Sequence, residues 1–172
     1  QTGAVSEIDC KACPSGFWVT DKGAIRCNAC IQGTRGTGVS KTTVNSGCIQ
    51  CEQGKYLDQV GQIECKHCSA GKYNPNIGSI KIDKCIDCDL GQYQKSTGKH
   101  ECKKCEPGQS TSGKTGSDSC LLCDAGKYER DRNCHECESG RYQDGLGLTE
   151  CKNCSVNYYL SELGKKTSAE CK

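Results

Sequence analysis

The chain has 172 residues, of which 19 are cysteine, and its 23 basic and 21 acidic residues leave a formal net charge of +2. One Trp, one Phe and no Met are too few large apolar side chains for the single core that a globule of this length would bury. The cysteine content is typical of a disulfide scaffold, the balanced charge does not predict a nucleic-acid partner, and no apolar run is long enough to cross a membrane.

The cysteines form a repeat that fills the chain. Nine Cys-x-x-Cys pairs begin at residues 10, 27, 48, 65, 85, 102, 120, 134 and 151, and Cys171 follows alone. A short period along a whole chain indicates a repeat array, so we predict an N-terminal segment at 1–9 and tandem repeats over 10–172. The predicted fold class is a small disulfide-rich repeat array: an elongated rod of short β-hairpin or loop modules with almost no helix, each touching only its neighbours.

Glycine and aromatic residues recur in register with the cysteines. Three residues after the second cysteine of each pair the repeats carry Gly16, Gly33, Gly54, Gly71, Gly91, Gly108, Gly126 and Gly140, and then Asn157. Because Gly and Asn tolerate a positive φ, we predict a left-handed turn there. Two residues later come Trp18, Tyr56, Tyr73, Tyr93, Tyr128, Tyr142 and Tyr159. We expect each ring to lie over its own disulfide as a small core, rather than to contact a ligand.

A second glycine marks the other end of several repeats. It stands four residues before the next cysteine, at Gly23, Gly61, Gly98, Gly116 and Gly147. Such isolated glycines between polar residues predict a turn. Each of these repeats is therefore expected to run from a first turn through a polar loop to a far turn and back to cysteine.

Cysteine pairs at this spacing also suit four-cysteine zinc sites. Nine pairs do not divide evenly into two-pair sites, and His67, His100 and His135 follow no ligand spacing. A thioredoxin-like motif would need a βαβ setting that the sequence lacks. We therefore favour disulfides, predict no metal or other cofactor, and expect an extracellular or cell-surface location, where disulfides persist.

The odd number of cysteines limits the possible disulfide pairings. If the second cysteine of each pair bonds the first cysteine of the next pair, only Cys10 is left unpaired. The crossed scheme, which joins Cys10 to Cys27 and Cys13 to Cys30, would instead leave Cys154 unpaired. We prefer the sequential ladder Cys13–Cys27, Cys30–Cys48, Cys51–Cys65, Cys68–Cys85, Cys88–Cys102, Cys105–Cys120, Cys123–Cys134, Cys137–Cys151 and Cys154–Cys171. An odd cysteine in a secreted protein suggests intermolecular pairing or a capped thiol. We expect end-to-end self-association through Cys10; the alternative is a capped Cys10, or a longer natural chain whose upstream cysteine pairs with it.

Six stretches carry a family resemblance: CPSGFW, CEQGKY, CSAGKY, CDLGQY, CDAGKY and CESGRY, each followed by a loop with glycine and a further CxxC. The pattern resembles the ephrin-receptor-like cysteine-rich repeats and, more distantly, the first loop of tumour necrosis factor receptor modules. The dense CxxC usage also resembles protist surface coat antigens. The resemblance extends from Cys10 to Cys171 and implies a stalk, a spacer or a binding ectodomain of an extracellular protein.

Other sequence motifs add little chemistry. The Gly-rich stretch at 33–38 precedes no predicted helix, as a phosphate loop would, and no catalytic signature occurs, so we predict that the protein is not an enzyme. One N-glycosylation sequon stands at Asn153, with Cys154 in its middle, which makes glycans a candidate modification. The densest basic run, at 99–104, is interpreted as an exposed turn.

Because the chain is all repeat, we expect an extracellular structural protein, a subunit of a fibril, surface coat or adhesive appendage. The alternative is a receptor-like ectodomain that binds a protein ligand along the rod. A receptor should present an exposed aromatic or apolar patch. The sequence offers Phe17, Tyr158, Leu146 and Leu148 as candidates for such a patch.

Overall fold

The computed structural model describes residues 12–21, 23–38 and 47–172. Within these residues, sixteen short strands and two turns of 3₁₀ helix, Ile82–Lys84 and Ser168–Glu170, make up the regular structure. The strands are β1 (Phe17–Trp18), β2 (Asn28–Ala29), β3 (Thr34–Gly36), β4 (Cys48–Gln50), β5 (Lys55–Tyr56), β6 (Lys66–His67), β7 (Lys72–Tyr73), β8 (Ile86–Asp87), β9 (Gln92–Tyr93), β10 (Lys103–Lys104), β11 (Gln109–Ser110), β12 (Leu121–Leu122), β13 (Lys127–Arg130), β14 (Asn133–Glu136), β15 (Arg141–Tyr142) and β16 (Lys152–Asn153). The predicted class of short hairpin modules with almost no helix is confirmed.

Nine disulfides join the described cysteines in sequential order, with Cα–Cα distances of 5.5–5.9 Å. They are Cys13–Cys27, Cys30–Cys48, Cys51–Cys65, Cys68–Cys85, Cys88–Cys102, Cys105–Cys120, Cys123–Cys134, Cys137–Cys151 and Cys154–Cys171. We call each disulfide loop, together with the two residues that follow it, a module, and number the modules 1 to 9 in this order. Cys10 lies outside the described residues.

Each of modules 1 to 8 contains one antiparallel hairpin, from β1 with β2 in module 1 to β15 with β16 in module 8. The second strand always includes the two residues between the cysteines of a Cys-x-x-Cys pair, so that Tyr56 lies opposite Lys66 and Tyr142 opposite Lys152. In module 9, Tyr159 and Lys172 exchange both backbone hydrogen bonds, at 2.6 and 2.8 Å. The Cys-x-x-Cys pair therefore links two successive disulfides and also completes a hairpin.

The first turn of every module is left-handed, as the glycine register predicts. The eight glycines have φ between 68° and 89°, and Asn157 has φ 71°. The carbonyl of each glycine accepts a hydrogen bond from the N–H of the second cysteine of the pair that ends its hairpin; Cys30 donates to Gly16 at 2.8 Å and Cys154 to Gly140 at 2.9 Å. A residue with a Cβ would be strained here, which explains the regular placement of glycine.

The chain forms two compact units: Gln1–Cys68 with Asn74–Cys85, and Ser69–Tyr73 with Ile86–Lys172. The first unit contains β1 to β6. Its modules contact not only the next module but also the one after it. Gly16 lies against Gly61, and Gly33 lies against Gly78. In each pair the two residues are so close that a Cβ on the first would overlap the carbonyl oxygen of the second.

The second unit contains β7 to β16 and repeats this arrangement. A Cβ on Gly108 would overlap the carbonyl oxygen of Gly147, and a Cβ on Gly126 would overlap that of Gly164. Modules 6 and 8, and modules 7 and 9, therefore lie against each other through their glycine turns. The expectation that each repeat touches only its neighbours is wrong, because two glycine turns without side chains allow contact across an intervening module.

Candidate functional site

The aromatic residues of the register are only partly buried. Tyr56 is the most buried of the seven and packs with Cys68 and Cys85, the disulfide of the following module. For Tyr56, the expectation of a ring over its own disulfide is therefore wrong. Tyr159, in module 9, is 65 % exposed. The rings cover parts of the disulfide ladder, but they do not form its centre.

Apart from the cysteines, several of the largest buried side chains directly follow the aromatic position. They include Leu57, Asn74, Gln94, Gln143 and Leu160, which are all buried. The carbonyl at this position also accepts the N–H of the first-turn glycine of the preceding module, as between Gly126 and Gln143 at 2.7 Å. This position joins successive modules. The sequence analysis missed it because its residue type varies between apolar and amide side chains.

The buried amides replace a hydrophobic core with hydrogen bonds. In module 5, Gln94 donates to the carbonyl of Glu101 at 2.8 Å and accepts from the N–H of Ser96 at 3.1 Å. In module 8, Gln143 donates to the carbonyl of Glu150 and accepts from the N–H of Gly145 at 3.4 Å. A buried polar group must be satisfied in this way to avoid a desolvation penalty. The polar loops of modules 5 and 8 are consequently stabilised by the same pattern of side-chain to backbone hydrogen bonds.

Leucines that the disulfide core does not use are exposed on modules 6 and 8. Leu122 of β12 is 52 % exposed, and Leu146 and Leu148 in the far turn of module 8 are 61 % and 40 % exposed. The Cδ2 atom of Leu122 lies 2.5 Å from the place of a Cβ on Gly147, so this glycine admits the leucine. We call Leu122, Leu146 and Leu148 the leucine surface.

Backbone hydrogen bonds hold the far turn under the leucine surface. The N–H of Gly147 donates to the carbonyl of Cys123 at 2.7 Å, and the carbonyl of Leu148 accepts from Glu129 at 2.9 Å. The leucines are therefore presented by a braced turn. The sequence analysis had singled out Leu146 and Leu148, but Leu122 joins them only through the contact between modules 6 and 8.

A charged rim borders the leucine surface. The Nζ atom of Lys152 lies 2.6 Å from a carboxylate oxygen of Asp144, two residues before Leu146. The hydrogen bond from Lys152 lowers the pKa of Asp144, and the same bond raises the pKa of Lys152. An apolar centre with a polar rim is the usual anatomy of a protein-binding surface.

The other candidate residues lie elsewhere. The ring of Phe17 packs against Gly61, from module 1 onto module 3, which is a structural contact. Tyr158 is 59 % exposed in module 9 and does not belong to the leucine surface. Asn153 is exposed on β16, and its side-chain oxygen accepts from Arg141 Nε at 3.0 Å.

The described part of the chain shows little sign of other chemistry. Across 12–21, 23–38 and 47–172, no group of three or more His, Cys, Asp and Glu residues is arranged to hold a metal ion. The described residues likewise form no helix of the length and apolar character that a membrane span requires. The leucine surface is thus the candidate site that the geometry favours.

A match to a family model agrees with the module pattern. A family described as tyrosine-protein kinase ephrin type A/B receptor-like matches residues 36–85 and 79–123, a little over half of the chain. No curated protein matches the chain. Among solved structures, a chain of a human RANKL/OPG complex is 20 % identical, with 92 % of this chain and 83 % of that chain covered and a TM-score of 0.21.

Proposed function

Because the chain belongs to the ephrin type A/B receptor-like family of cysteine-rich repeats, we propose that it is a receptor-like extracellular ectodomain that binds a protein ligand through the leucine surface. The observation that carries this proposal is the contact of Leu122 with Gly147, the glycine between the exposed Leu146 and Leu148, where modules 6 and 8 lie against each other. Receptor-like cysteine-rich families are non-enzymatic, which agrees with a binding role.

The position of the leucines supports binding over a purely structural role. Exposed apolar residues scattered singly need no explanation, whereas a contiguous set rimmed by polar residues marks an interaction site. Leu122 comes from one module and Leu146 and Leu148 from another. The braced far turn limits the conformational entropy that a ligand would have to remove on binding.

The family membership favours the receptor-like alternative over the fibril, coat or appendage subunit that the all-repeat sequence led us to expect. Repetition alone does not distinguish them, because stalks and binding ectodomains are built from the same repeats. Nothing specific to a fibril contact supports the structural role. Glycan attachment at Asn153 remains a separate proposal, since that side chain is exposed on the neighbouring strand.

A photo-crosslinking experiment tests the proposal. The full chain, with a photoreactive residue at position 146, is applied to intact cells that bind the labelled wild-type chain. We expect Leu122→Asp to abolish both binding and a discrete crosslink. Leu121→Asp is the matched control, because Leu121 is 61 % exposed and successive strand residues point to opposite faces.

Two results would contradict this function. Equal binding by the two variants would remove the leucine surface as the site. If instead the purified wild-type chain polymerised, and Leu122→Asp alone kept it monomeric, the surface would be a contact between copies and the structural role would be favoured. Sedimentation of both variants at high concentration distinguishes these cases.

A further inference from the structure

We propose that module 5 carries a second binding site, for a sulfated polysaccharide, formed by Lys95, Lys99, Lys103 and Lys104. We call these four residues the lysine patch. The proposal goes beyond the protein-ligand function and does not depend on the leucine surface. It begins from the basic run at 99–104, which the sequence analysis interpreted as an exposed turn.

Three modules can be compared position by position. Modules 3, 5 and 8 each close a loop with a cysteine separation of 14. Their far-turn glycines, Gly61, Gly98 and Gly147, have φ of 70°, 69° and 65°. The amide bracing by Gln94 in module 5 also matches that by Gln143 in module 8. Equivalent positions therefore occupy equivalent places on the three modules.

In modules 3 and 8, one lysine of this set is neutralised by an aspartate. Lys66 lies 2.7 Å from Asp58, and Lys152 lies 2.6 Å from Asp144. Each lysine pairs across the hairpin with the module's tyrosine, and each aspartate stands two residues after that tyrosine. The tyrosine side of the hairpin thus has an internal ion pair.

Module 5 has lysine in both of these places. Lys103 lies opposite Tyr93 as Lys66 lies opposite Tyr56, but the position of the aspartate is taken by Lys95. Since the equivalent atoms in the other modules are within hydrogen-bonding distance, two ammonium groups face the same small area. Like charges repel at this range, so an anionic ligand would relieve a repulsion that the sequence has retained.

The remaining two lysines enlarge the same charge. Lys99 replaces Gln62 of module 3 and Leu148 of module 8, and Lys104 replaces His67 and Asn153. At these four positions module 5 carries four positive charges, whereas the ion pairs leave modules 3 and 8 formally neutral with histidine uncharged. All four lysines are exposed, and among the described residues none of them makes an ion pair.

The patch dominates the charge of the molecule. Four lysines and Glu101 give residues 95–104 a formal charge of +3, against +2 for the whole chain, so all other residues together carry −1. Acidic residues also lie near the patch: Glu101 faces His100 at 3.9 Å, and Lys104 lines a groove with Arg132 and with Glu106, Glu129 and Asp131.

The surroundings of the patch favour a sulfated polysaccharide over a protein. The patch itself, within residues 95–104, contains no large apolar residue, whereas protein interfaces depend on apolar anchors; the exposed Leu90 of module 5 lies outside this stretch. Short lysine-rich clusters attract nucleic acid or heparin-like chains, and the disulfides place the protein in the oxidising compartment where the polysaccharide occurs.

Binding of the full chain to immobilised heparin at physiological salt tests this site. Lys95→Asp gives module 5 the aspartate that modules 3 and 8 have at this position, and this aspartate should neutralise Lys103. We expect the variant to bind heparin about fivefold more weakly, as the loss of two exposed ionic contacts implies. Lys81→Asp makes the same change of charge at an exposed residue outside module 5 and should leave binding unchanged. Asp58→Lys copies the pair of Lys95 and Lys103 onto module 3, beside Lys66, and should strengthen binding.

Several outcomes would overturn the proposal. They are a wild-type chain that heparin does not retain, equal effects of Lys95→Asp and Lys81→Asp, and undiminished binding to desulfated heparin. Equal competition by polyglutamate would replace the polysaccharide with a generic acidic partner. Binding to phosphatidylserine vesicles but not to heparin would assign the patch to a membrane surface. Intact mass and thermal unfolding of each variant exclude a folding defect as the cause of lost binding.

Discussion

Gly108 and Gly147 lie so close together that a side chain on Gly108 would overlap the Gly147 carbonyl. Gly140 has the same φ of 81° as Gly108 but no neighbour within 4 Å of its Cβ position. A comparison of substitutions at Gly108 and Gly140 therefore separates the effect of backbone conformation from the effect of contact between modules.

We expect Gly140→Ala to cost about 1–2 kcal/mol, the strain of a left-handed alanine, and Gly108→Ala to cost at least about 3 kcal/mol, since overpacking is added to that strain. Hydrogen exchange of modules 6 and 8 measures both. Equal costs would show that modules 6 and 8 do not touch in solution.

The buried amide of Gln143 should matter more than the tyrosine before it. Gln143→Ala removes the bonds to the backbone of Glu150 and Gly145 and opens a cavity where the amide was buried, at a cost of about 2 kcal/mol. Tyr142→Ala should cost roughly 1 kcal/mol, because the residue is only partly buried. Amide exchange in the loop at 143–150 is the measurement, and a larger effect of Tyr142→Ala would restore the aromatic core that we first expected.

The thiols should be oxidised in the sequential order. Nine disulfides remove two hydrogens each, so intact mass should fall about 18 Da below the fully reduced value. Peptide mapping without reduction should recover Cys123 joined to Cys134 and should not recover crossed pairs. Stoichiometric zinc with all thiols titratable would contradict the disulfide ladder.

Cys10 is the cysteine for which the sequence predicts an intermolecular partner. We expect the wild-type chain to form a disulfide-linked dimer and Cys10→Ser to remain monomeric in sedimentation under non-reducing conditions. A wild-type chain that is monomeric at high concentration, with Cys10 open to alkylation, would rule out this assembly.

The ion pair of Asp144 and Lys152 should be visible in a pH titration. The hydrogen bond from Lys152 lowers the pKa of the Asp144 carboxyl in the folded state. The stabilisation by the ion pair is therefore present above the pKa that Asp144 has in the unfolded chain, and it is lost as the pH falls through the folded-state pKa. The carboxyl carbon of Asp144 should titrate at a higher pH in Lys152→Gln. An unchanged midpoint would show that the pair does not form in solution.

The local structure of this chain was predictable because single residue types determine it. Glycine or Asn157 occupies the first turn of every module, where φ is positive, and the spacing of the cysteines set the length of each hairpin. Leu57, Asn74 and Gln143 occupy one buried position with different chemistry, so no repeated letter marks it. Leu122 joined the candidate site only through a contact across module 7, and sequence register carries no information about such contacts.

The ladder of disulfides also determines how the chain responds to tension. A pulling force from Cys13 to Cys171 passes through nine bridges of 5.5–5.9 Å and the eight short Cys-x-x-Cys segments between them. Even with every hairpin unfolded, that path extends to only about 130 Å, against roughly 540 Å for the reduced chain at ~3.4 Å per residue. An oxidised molecule anchored at its two ends is thus a tether of nearly fixed maximum length, and reduction converts it into one that can stretch about fourfold.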